Sequence, residues 1–325
     1  MYSLPLLRGG LGRGFIQCPH PNPLPQGEGA FLVACMKHSV IQEFTEYAPV
    51  LAHGLRESTM SLPITQTLLV TEDKGILHIT LNRPESRNSM SLQMVQELQA
   101  LFTWSAEHHI RAVVLRGAGG HFCAGGDIRD MMTIRQQAVE NPQAYQNFNR
   151  TFGHLLTQVN SAPFLVITVL EGAVLGGGFG LACVSDVALA KADAQFGMPE
   201  TRLGIIPAQI APFIVQRLGL TQARRLALLG MRINGQQAQA IGLVHEVYAD
   251  NDSLETALVR TIHDLRQCAP NATQVTKALL HQVGEQALTQ VLDDAAEAFA
   301  CAIQSAEGME GGMAFVQKRA ASWAE

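Results

Sequence analysis

The sequence predicts an α/β domain followed by a C-terminal helical region. From Leu68 onward, short apolar runs with strand character alternate with segments of helical spacing, and from residue 211 only helical segments remain. Such an alternation is typical of α/β folds, and the helices that follow it indicate a separate helical part. The hydrophobic content of 47% over 325 residues is ample for a sizeable core.

The first predicted elements are a hairpin, a helix and a strand. Residues 68–71 and 76–81 predict two strands joined through Asp73-Lys74-Gly75, a hairpin sequence. Residues 112–116 predict a third strand, and the turn at 121–127 follows it. Between the hairpin and this strand, residues 91–108 carry apolar side chains at helical spacing, namely Leu92, Val95, Leu98, Leu101 and Phe102.

The middle of the chain predicts a polar, helix-prone insertion at 130–160, followed by the most apolar stretch, residues 163–190. Glu171 and Asp186 interrupt that stretch, and the uncharged run between them is shorter than the ~20 residues of a membrane-spanning helix. It therefore predicts buried elements. These are strand 164–170, helix 177–184 opened by a triple-glycine turn, strand 187–190 and extended residues 194–197.

The remainder predicts helices only. They are expected at 211–218, 221–229, 235–241, 253–267, 270–283, 289–304 and 308–320.

Residues 1–59 differ from the rest. They are rich in glycine and proline and show no sustained period, so little of this segment is expected to order in a core. Prolines also interrupt any continuous apolar stretch of a signal peptide. We interpret this segment as a disordered or mis-annotated extension, with the native start near Met60.

Charge and cysteine usage narrow the functional classes. The net charge of −5 provides no general attraction for nucleic acid or an anionic membrane. The six cysteines lack CxxC pairs, and the eleven histidines form no HxH or HExxH pattern, so neither a disulfide framework nor a metal site is expected. These features favour a cytoplasmic protein with reduced thiols.

Three short segments predict one site: HFCAGGD at 121–127, LGGGFGL at 175–181 and FGMPE at 196–200. Glycine-rich turns leave backbone N–H groups free, and two converging N–H groups form an oxyanion hole. The carboxylate of Glu200 beside them is able to move protons next to a thioester carbonyl. Each glycine turn alone is equally compatible with a packing or capping turn. Together the three segments predict acyl-thioester chemistry.

This set of motifs resembles the crotonase superfamily, also called the enoyl-CoA hydratase/isomerase family. The resemblance extends from about residue 67 to residue 325 and includes residues 81–90, 204–207, 238–244 and 307–319. It implies a spiral core of ββα units at 60–255, and a C-terminal helical trimerisation region at 256–325. It also implies homotrimers or homohexamers and an acyl-CoA thioester substrate, with no cofactor apart from the coenzyme A of that substrate.

The resemblance also implies roles for individual residues. The oxyanion donors correspond to the N–H groups of Gly126 and Gly177. Hydratases of the family usually carry two glutamates; the second corresponds to Glu200, but the first position is Gly180 here. This glycine indicates either room for a bulky substituent on the substrate or tight helix packing, since glycine inside a helix costs about 1 kcal/mol relative to alanine.

Further candidates follow from the same resemblance. The first glycine turn is expected to contact substrate or coenzyme A through Ala124, Asp127 and Ile128, although Asp127 is equally interpretable as a turn or cap residue. Arg202 and Gln209 are candidates for a substrate carboxylate, with a surface arginine and a loop amide as the alternatives. The expected coenzyme A ligands are Arg83, Arg87, Phe315 and Lys318, the last two on a segment that in this family sometimes comes from a neighbouring subunit.

Three functions remain open at this point. Residues 171–186, 204–213 and 221–227 resemble those of bacterial isohexenylglutaconyl-CoA hydratases of acyclic-terpene degradation. This likeness favours a hydratase acting on a branched, carboxylated enoyl-CoA. The single glutamate also suits a Δ3–Δ2 enoyl-CoA isomerase. The departure at Gly180 leaves a non-catalytic CoA-thioester-binding protein as the third alternative.

Overall fold

The computed structural model of the chain describes residues 61–324. The predicted N-terminal extension at 1–59 lies outside the described residues. Within them, the strands are β1 (Leu68–Asp73), β2 (Ile76–Leu81), β3 (Ala112–Gly117), β4 (Leu165–Leu170), β5 (Ala173–Leu175), β6 (Val187–Lys191), β7 (Gln195–Gly197), β8 (Arg232–Asn234) and β9 (Glu246–Tyr248).

Ten α-helices accompany these strands in the described part of the chain. They are α1 (Leu92–Glu107), α2 (Ile128–Gln137), α3 (Ala144–Asn160), α4 (Gly177–Val184), α5 (Ala211–Leu229), α6 (Gly235–Ala240), α7 (Asn251–Arg266), α8 (Pro270–Gln282), α9 (Leu288–Gln304) and α10 (Ala306–Gln317). Across residues 61–324, none of the helices is both long enough and apolar enough to cross a membrane.

The larger sheet contains six strands in the order β1-β2-β3-β4-β6-β9. β1 and β2 form the predicted antiparallel hairpin, with Asp73 opposite Ile76. Lys74 and Gly75 between them both have positive φ angles, 50° and 77°, as a two-residue hairpin turn requires. The pairs from β2 to β9 are all parallel, and helical connections between them account for this arrangement.

Three further strands form a second, smaller sheet. β5 pairs in parallel with β7, and β8 pairs antiparallel with β7. The chain thus passes from β4 in the larger sheet to β5 in the smaller sheet and then into α4, and it repeats the step from β6 to β7. These steps are ββα units of the predicted kind. They place the ends of β5 and β7, with the turns that follow them, on the same side.

Helix α1 shows how the apolar spacing builds the core. The Ser91 side chain caps its first turn by accepting a hydrogen bond from the Met94 N–H at 3.2 Å. Leu98, Leu101 and Phe102 are then buried in the main hydrophobic cluster, as their spacing predicted. The Phe102 ring lies 5.8 Å from the ring of Phe164, just before β4, which fixes α1 against the sheet.

Two regions differ from the sequence prediction in detail. The polar insertion at 130–160 forms two helices, α2 and α3. The helices predicted at 211–218 and 221–229 are joined in α5, but Gly219 has φ 73° and ψ 160°, which breaks the helix between the two predicted segments. Among the described elements, the three-residue strands β5, β8 and β9 had not been predicted as strands.

The C-terminal region attaches to the sheet mainly through α7. Its residues Leu254, Ala257 and Leu258 belong to a second hydrophobic cluster with Val114 and Leu189 of the larger sheet. The boundary predicted at residue 255 therefore falls inside a helix that packs on the sheet, because an amphipathic helix must cover its apolar face. The helices that extend beyond the sheet begin with α8.

Two buried cations fasten this helical region to the core. The Arg111 guanidinium, at the start of β3, donates to the carbonyl oxygens of Leu265, Cys268 and Trp323 at 2.7–3.1 Å. Lys277 of α8 donates to the Asp186 carboxylate at 2.7 Å and to the Phe164 carbonyl at 3.1 Å. These contacts join the helical region to residues just before β3, β4 and β6 of the larger sheet.

The Lys277–Asp186 pair provides a test of this attachment. The side chains are only 11% and 22% exposed, so Lys277→Met leaves a largely buried carboxylate without its cation. We expect it to lower the free energy of unfolding by about 2–3 kcal/mol in urea denaturation. Combining it with Asp186→Asn is expected to cost less than the sum of the two single substitutions. Additive losses would contradict a direct interaction.

Candidate active site

The two glycine turns lie side by side. Cys123 and Leu175 exchange backbone contacts: the Cys123 N–H donates to the Ala173 carbonyl, and the Leu175 N–H donates to the Cys123 carbonyl, both at 2.8 Å. Further along, a Cβ built on Gly176 would lie 3.3 Å from the Gly125 Cα atom. Cys123 and Leu175 are 52 residues apart in the sequence. The two segments that were predicted to share a site are therefore in direct contact.

Glycine is required where these backbones meet. Gly125 has φ 106° and Gly176 has φ 50° with ψ −113°, values that side chains strongly disfavour. Two residues further, a Cβ on Gly178 would approach the Cys123 Cβ to 2.8 Å, closer than two carbons pack. The close approach and the backbone conformation together explain the glycine content of both turns.

Each turn contains backbone N–H groups that donate to no other described residue, and Gly126 and Gly177 are among them. The neighbouring amides are engaged: Asp127 donates to the Met90 carbonyl and Gly176 donates to the Gly197 carbonyl, each at 3.0 Å. Gly126 and Gly177 have no such bond to another described residue. Gly177 is the first residue of α4, where helix amides have no intrahelical acceptor and the helix dipole favours negative charge.

Glu200 faces the second of these turns. It follows β7 and begins the short 3-10 helix Glu200–Leu203. Its Oε1 atom lies 3.0 Å from the position of a Cβ built on Gly176, and its Oε2 atom is buried without a hydrogen-bond partner among the described residues. Burial raises the pKa of the Glu200 carboxyl, opposed by a hydrogen bond from its own backbone N–H. Such a carboxylate is a stronger base than one in water.

Cys123, although it lies between the turns, is not arranged as a nucleophile. Its thiol is buried and donates a long contact to the Gly125 carbonyl at 3.6 Å. Burial raises the pKa of this thiol to about 11. Because the thiolate is the reactive form, Cys123 serves the packing between the turns.

Asp127 is a cap residue, one of the two alternatives for it. Its Oδ1 accepts a hydrogen bond from the Arg129 N–H at 2.8 Å at the start of α2, and its Oδ2 pairs with the Arg83 guanidinium at 2.7 Å. Burial opposes its ionisation, but the hydrogen bonds from Arg83 and Arg129 outweigh this and hold its pKa below the ordinary value. Asp127 thus anchors the first glycine turn.

Arg83 was expected to bind coenzyme A, and its guanidinium is engaged within the protein by the same ion pair. One guanidinium nitrogen pairs with Asp127 and another donates to the Ser89 carbonyl at 2.7 Å. Its side chain is only 18% exposed, since the loop folds it against the glycine turn. Arg83 therefore holds the loop in place.

Other residues of this loop and turn are placed more openly. Arg87 is exposed with φ 51°, and its carbonyl accepts the Ala124 N–H at 3.0 Å. Ile128, at the start of α2, is 71% exposed. Arg87 contacts the first glycine turn through Ala124 and is accessible to a solvent-borne anion, and the expected contacts of these three residues with substrate or coenzyme A stay predictions.

Gly180 is a packing position in α4. A Cβ there would lie 2.4 Å from the Ile210 Cγ2 atom and 3.5 Å from the Leu156 Cδ1 atom. Ile210 is itself buried. The space next to Gly180 is filled by these aliphatic side chains, so the structure supports the helix-packing alternative over the alternative of room for a substrate group.

The two candidates for a substrate carboxylate occupy different surroundings. Arg202 lies against Gly230 and donates from Nε to the Leu229 carbonyl at 3.3 Å, so it secures the end of α5. Gln209 lies beside α3, where its Oε1 accepts from Arg150 at 3.2 Å and its Nε2 donates to Asn149 at 2.8 Å. The loop-amide alternative for Gln209 and the surface alternative for Arg202 both fit these contacts.

Phe315 and Lys318 stand at the end of α10. Phe315 is 86% exposed, and Lys318 closes the helix with φ 56°. Neither has a described contact with the glycine turns. A role for them next to coenzyme A stays a prediction that depends on a neighbouring subunit.

Sequence reasoning missed three residues near the turns. Phe152 of α3 lies 3.2 Å from the position of a Cβ on Gly177, and the Met131 methyl lies 2.7 Å from the corresponding position on Gly126. Arg150, two residues before Phe152 in α3, contacts Gln209. All three are in the segment interpreted as a polar insertion. The apolar spacing within it was the available signal.

Comparisons with known proteins agree with this geometry. A family model described as "Enoyl-CoA hydratase/isomerase" matches residues 71–325. The solved structure of Pseudomonas aeruginosa AtuE is 58% identical, with a TM-score of 0.77 over 80% of this chain and 100% of AtuE.

Two curated relatives are more distant. The 2,3-dehydroadipyl-CoA hydratase of Escherichia coli is 33% identical, covering 78% of this chain and 96% of that protein. The mevalonyl-coenzyme A hydratase sidH of Aspergillus fumigatus is 31% identical, covering 82% and 98%. Together with the family match, these findings confirm the predicted α/β fold.

The packing of Gly180 generates a stability prediction. Gly180→Ala is expected to lower the free energy of unfolding by about 1–3 kcal/mol, because the new methyl group overlaps Ile210. In urea denaturation, the double variant with Ile210→Ala should lose less than the two single losses combined.

Gly312→Ala is the matched control, since Gly312 is also helical but a Cβ there meets nothing within 4 Å. This variant is expected to be neutral or stabilising. A neutral Gly180→Ala would show that the position has room after all.

Proposed function

The chain is an enzyme of the enoyl-CoA hydratase/isomerase family, and on that premise we propose that it adds water across the α,β double bond of a branched, carboxylated enoyl-CoA. The observation that carries this proposal is the Glu200 carboxylate, whose buried Oε2 atom has no hydrogen-bond partner among the described residues while its Oε1 atom lies next to Gly176. Coenzyme A enters as part of the substrate, and no further cofactor is proposed.

The first step of the proposed reaction concerns the thioester oxygen. The Gly126 and Gly177 N–H groups have no acceptor in the described chain, so they are available for this oxygen as it gains enolate charge. In comparable sites one such donor stabilises the transition state by roughly 3–4 kcal/mol. The N-terminal end of α4 adds a favourable dipole at Gly177.

The proton steps require only one carboxylate. Glu200 takes a proton from a water molecule while the water oxygen bonds to Cβ and the π electrons move to the thioester oxygen. The resulting enolate then takes that proton, or one exchanged with it, from the Glu200 carboxyl at Cα. One water is added, and Glu200 is returned to its ionised form. Its raised pKa makes it a competent base at neutral pH.

The substrate class rests on likeness between sequences. The resemblance of residues 171–186, 204–213 and 221–227 to isohexenylglutaconyl-CoA hydratases favours a branched acyl chain with a second carboxylate. The names of two relatives are compatible with such acyl groups, one being a 2,3-dehydroadipyl-CoA hydratase and the other a mevalonyl-coenzyme A hydratase. These relatives support the proposal as analogies.

One observation favours a second candidate, a Δ3–Δ2 enoyl-CoA isomerase. Ile210 and Leu156 fill the space at Gly180 where a second carboxylate would stand. An isomerase needs only one group to carry a proton between carbons, so Glu200 alone would suffice. The non-catalytic alternative predicts binding without turnover.

We also propose that the enzyme assembles as a homotrimer or homohexamer. Apolar side chains on α9 and α10 are largely exposed in the single chain, including Phe299 at 68%, Phe315 at 86% and Val316 at 80%. Exposed apolar surface of this kind usually marks an interface. The same interface would supply the partner that Phe315 and Lys318 require.

Incubation with enoyl-CoA substrates in H2-18O tests the reaction type. For 3-methylglutaconyl-CoA, a branched dicarboxylic thioester, we expect label in a β-hydroxyacyl product, detected by mass spectrometry. Migration of the double bond in a Δ3-enoyl-CoA without label would favour the isomerase. Binding without either product would favour the non-catalytic alternative and remove the hydratase proposal.

Glu200→Gln tests the assigned base. We expect kcat to fall at least ~100-fold while CoA-thioester binding is kept, because the amide cannot accept the proton. In the unsubstituted enzyme, kcat/KM should fall as the pH drops through the Glu200 pKa, which lies above the ordinary 4.5.

The stability of the same variant serves as the control. A folded-state pKa above the unfolded value makes the folded protein less stable as the pH rises from about 4.5 through the raised pKa. Glu200→Gln removes this loss and should be at least as stable as the original at neutral pH. Near-normal activity in the variant would exclude Glu200 from the proton steps.

A further inference from the structure

Arg150 and Gln209 form a hydrogen-bonded pair whose sequence neighbours, Phe152 and Ile210, pack against α4. The Arg150 guanidinium of α3 donates to Gln209 Oε1 at 3.2 Å. Arg150 is exposed, and Gln209 is its partner among the described residues. Within residues 61–324 the guanidinium forms no ion pair, and Gln209 accepts from only one of its nitrogens.

The surrounding sequence leaves that positive charge uncompensated. Helix α3, residues 144–160, contains no aspartate or glutamate, and neither does the loop 204–210 that carries Gln209. Arg150 forms no ion pair with the described residues. The other titratable group facing it is His154 on the same helix; burial lowers the pKa of His154 and the positive Arg150 lowers it further. The local field therefore favours an anion.

The pair is held by a specific arrangement of its neighbours. Gln209 Nε2 donates to Asn149 Oδ1 at 2.8 Å, which directs Oε1 toward Arg150. Gly153 makes this possible, because a Cβ there would lie 1.9 Å from Gln209 Oε1 and 2.7 Å from an Arg150 guanidinium nitrogen. A glycine inside a helix costs about 1 kcal/mol relative to alanine. At position 153 the helix bears this cost, and the space that a Cβ would fill is occupied by the Arg150–Gln209 pair.

The position of the pair relative to α4 connects it with the reaction site. Phe152, two residues after Arg150, lies against Gly177, and Ile210, the neighbour of Gln209, lies against Gly180. The same two elements therefore cover the helix whose first amide is the proposed oxyanion donor. Ile205 and Ile206 lie between Glu200 and Gln209 in the sequence, and their apolar side chains are exposed by 44% and 73%.

We propose that Arg150, positioned by Gln209, binds the distal carboxylate of the acyl chain and makes the enzyme specific for dicarboxylic acyl thioesters. The inference rests on the proposed function, because it concerns the substrate of that site. A planar guanidinium suits a carboxylate by forming two parallel hydrogen bonds. Arg202, the earlier candidate for this task, is turned toward the end of α5.

Binding of two saturated thioesters tests this assignment without relying on turnover. 3-Methylglutaryl-CoA and isovaleryl-CoA share the branch at Cβ and differ by the terminal carboxylate group. For Arg150→Gln we expect the Kd of 3-methylglutaryl-CoA to rise at least about 10-fold, as for loss of a charge-assisted hydrogen bond, while that of isovaleryl-CoA changes less than about two-fold. Arg150→Lys should recover part of the loss.

The matched control is Arg224→Gln, which removes the same charge from an exposed arginine of α5. It should leave both affinities unchanged, which separates a local contact from a change in net charge. Equal effects of Arg150→Gln on both thioesters, no effect on either, or failure of the unsubstituted protein to bind 3-methylglutaryl-CoA would overturn the inference.

The outcomes also separate this inference from the hydratase proposal. Suppose that Arg150→Gln selectively weakens 3-methylglutaryl-CoA binding while the unsubstituted protein incorporates no 18O. This result would support Arg150 as the carboxylate ligand and exclude the hydratase assignment. Hydration of 3-methylglutaconyl-CoA and 3-methylcrotonyl-CoA with equal kcat/KM, unchanged by Arg150→Gln, would support the hydratase proposal. It would exclude Arg150 as the ligand of the distal carboxylate. Gln209→Leu should reproduce a smaller part of the Arg150→Gln effect, since Gln209 acts by positioning.

Discussion

The close approach of two backbones at Gly125 and Gly176 is the constraint on which the candidate site depends. No side chain fits at Gly176, because a Cβ there would meet both the Gly125 Cα and the Glu200 carboxylate. Both glycines also adopt positive φ angles. Next to this contact, the Gly126 and Gly177 N–H groups donate to no other described residue. A larger residue at either glycine would separate the turns and remove the pairing of donors with Glu200.

The buried Glu200 oxygen next to this contact carries a cost in folding free energy. A carboxylate oxygen without a hydrogen bond destabilises the folded state, and the raised pKa expresses the same cost as a preference for the neutral form. Asp127, the last residue of the first turn, shows the opposite solution, since Arg83 and a helix N–H keep it ionised. The partners of the two carboxyl groups thus shift their pKa values in opposite directions, and Glu200 is the one left with an oxygen that has no described partner.

Local patterns were sufficient where neighbouring residues decide the structure. Helix Gly177–Val184 and strand Ile76–Leu81 begin and end where predicted, because glycine, proline and apolar spacing mark their limits. The strands β5 and β8 have three residues each and exist through pairing with β7, which a local pattern cannot reveal. The same holds for side chains. Arg83 and Arg202 are chemically suited to bind anions, but their intramolecular acceptors come from distant parts of the sequence.

Gly180 shows how packing restricts the chemistry that remains. Its alternatives could not be separated from sequence, since the residue that fills the space, Ile210, lies thirty positions away. With an aliphatic wall there, the proposed reaction relies on Glu200 for its proton transfers. Whether water addition or double-bond migration follows then depends on what the substrate places next to Oε2, the water at Cβ or a hydrogen on Cγ. A distal carboxylate held at Arg150 would fix one Cβ substituent away from Glu200. Such a restraint favours addition at Cβ over removal of a proton from that arm.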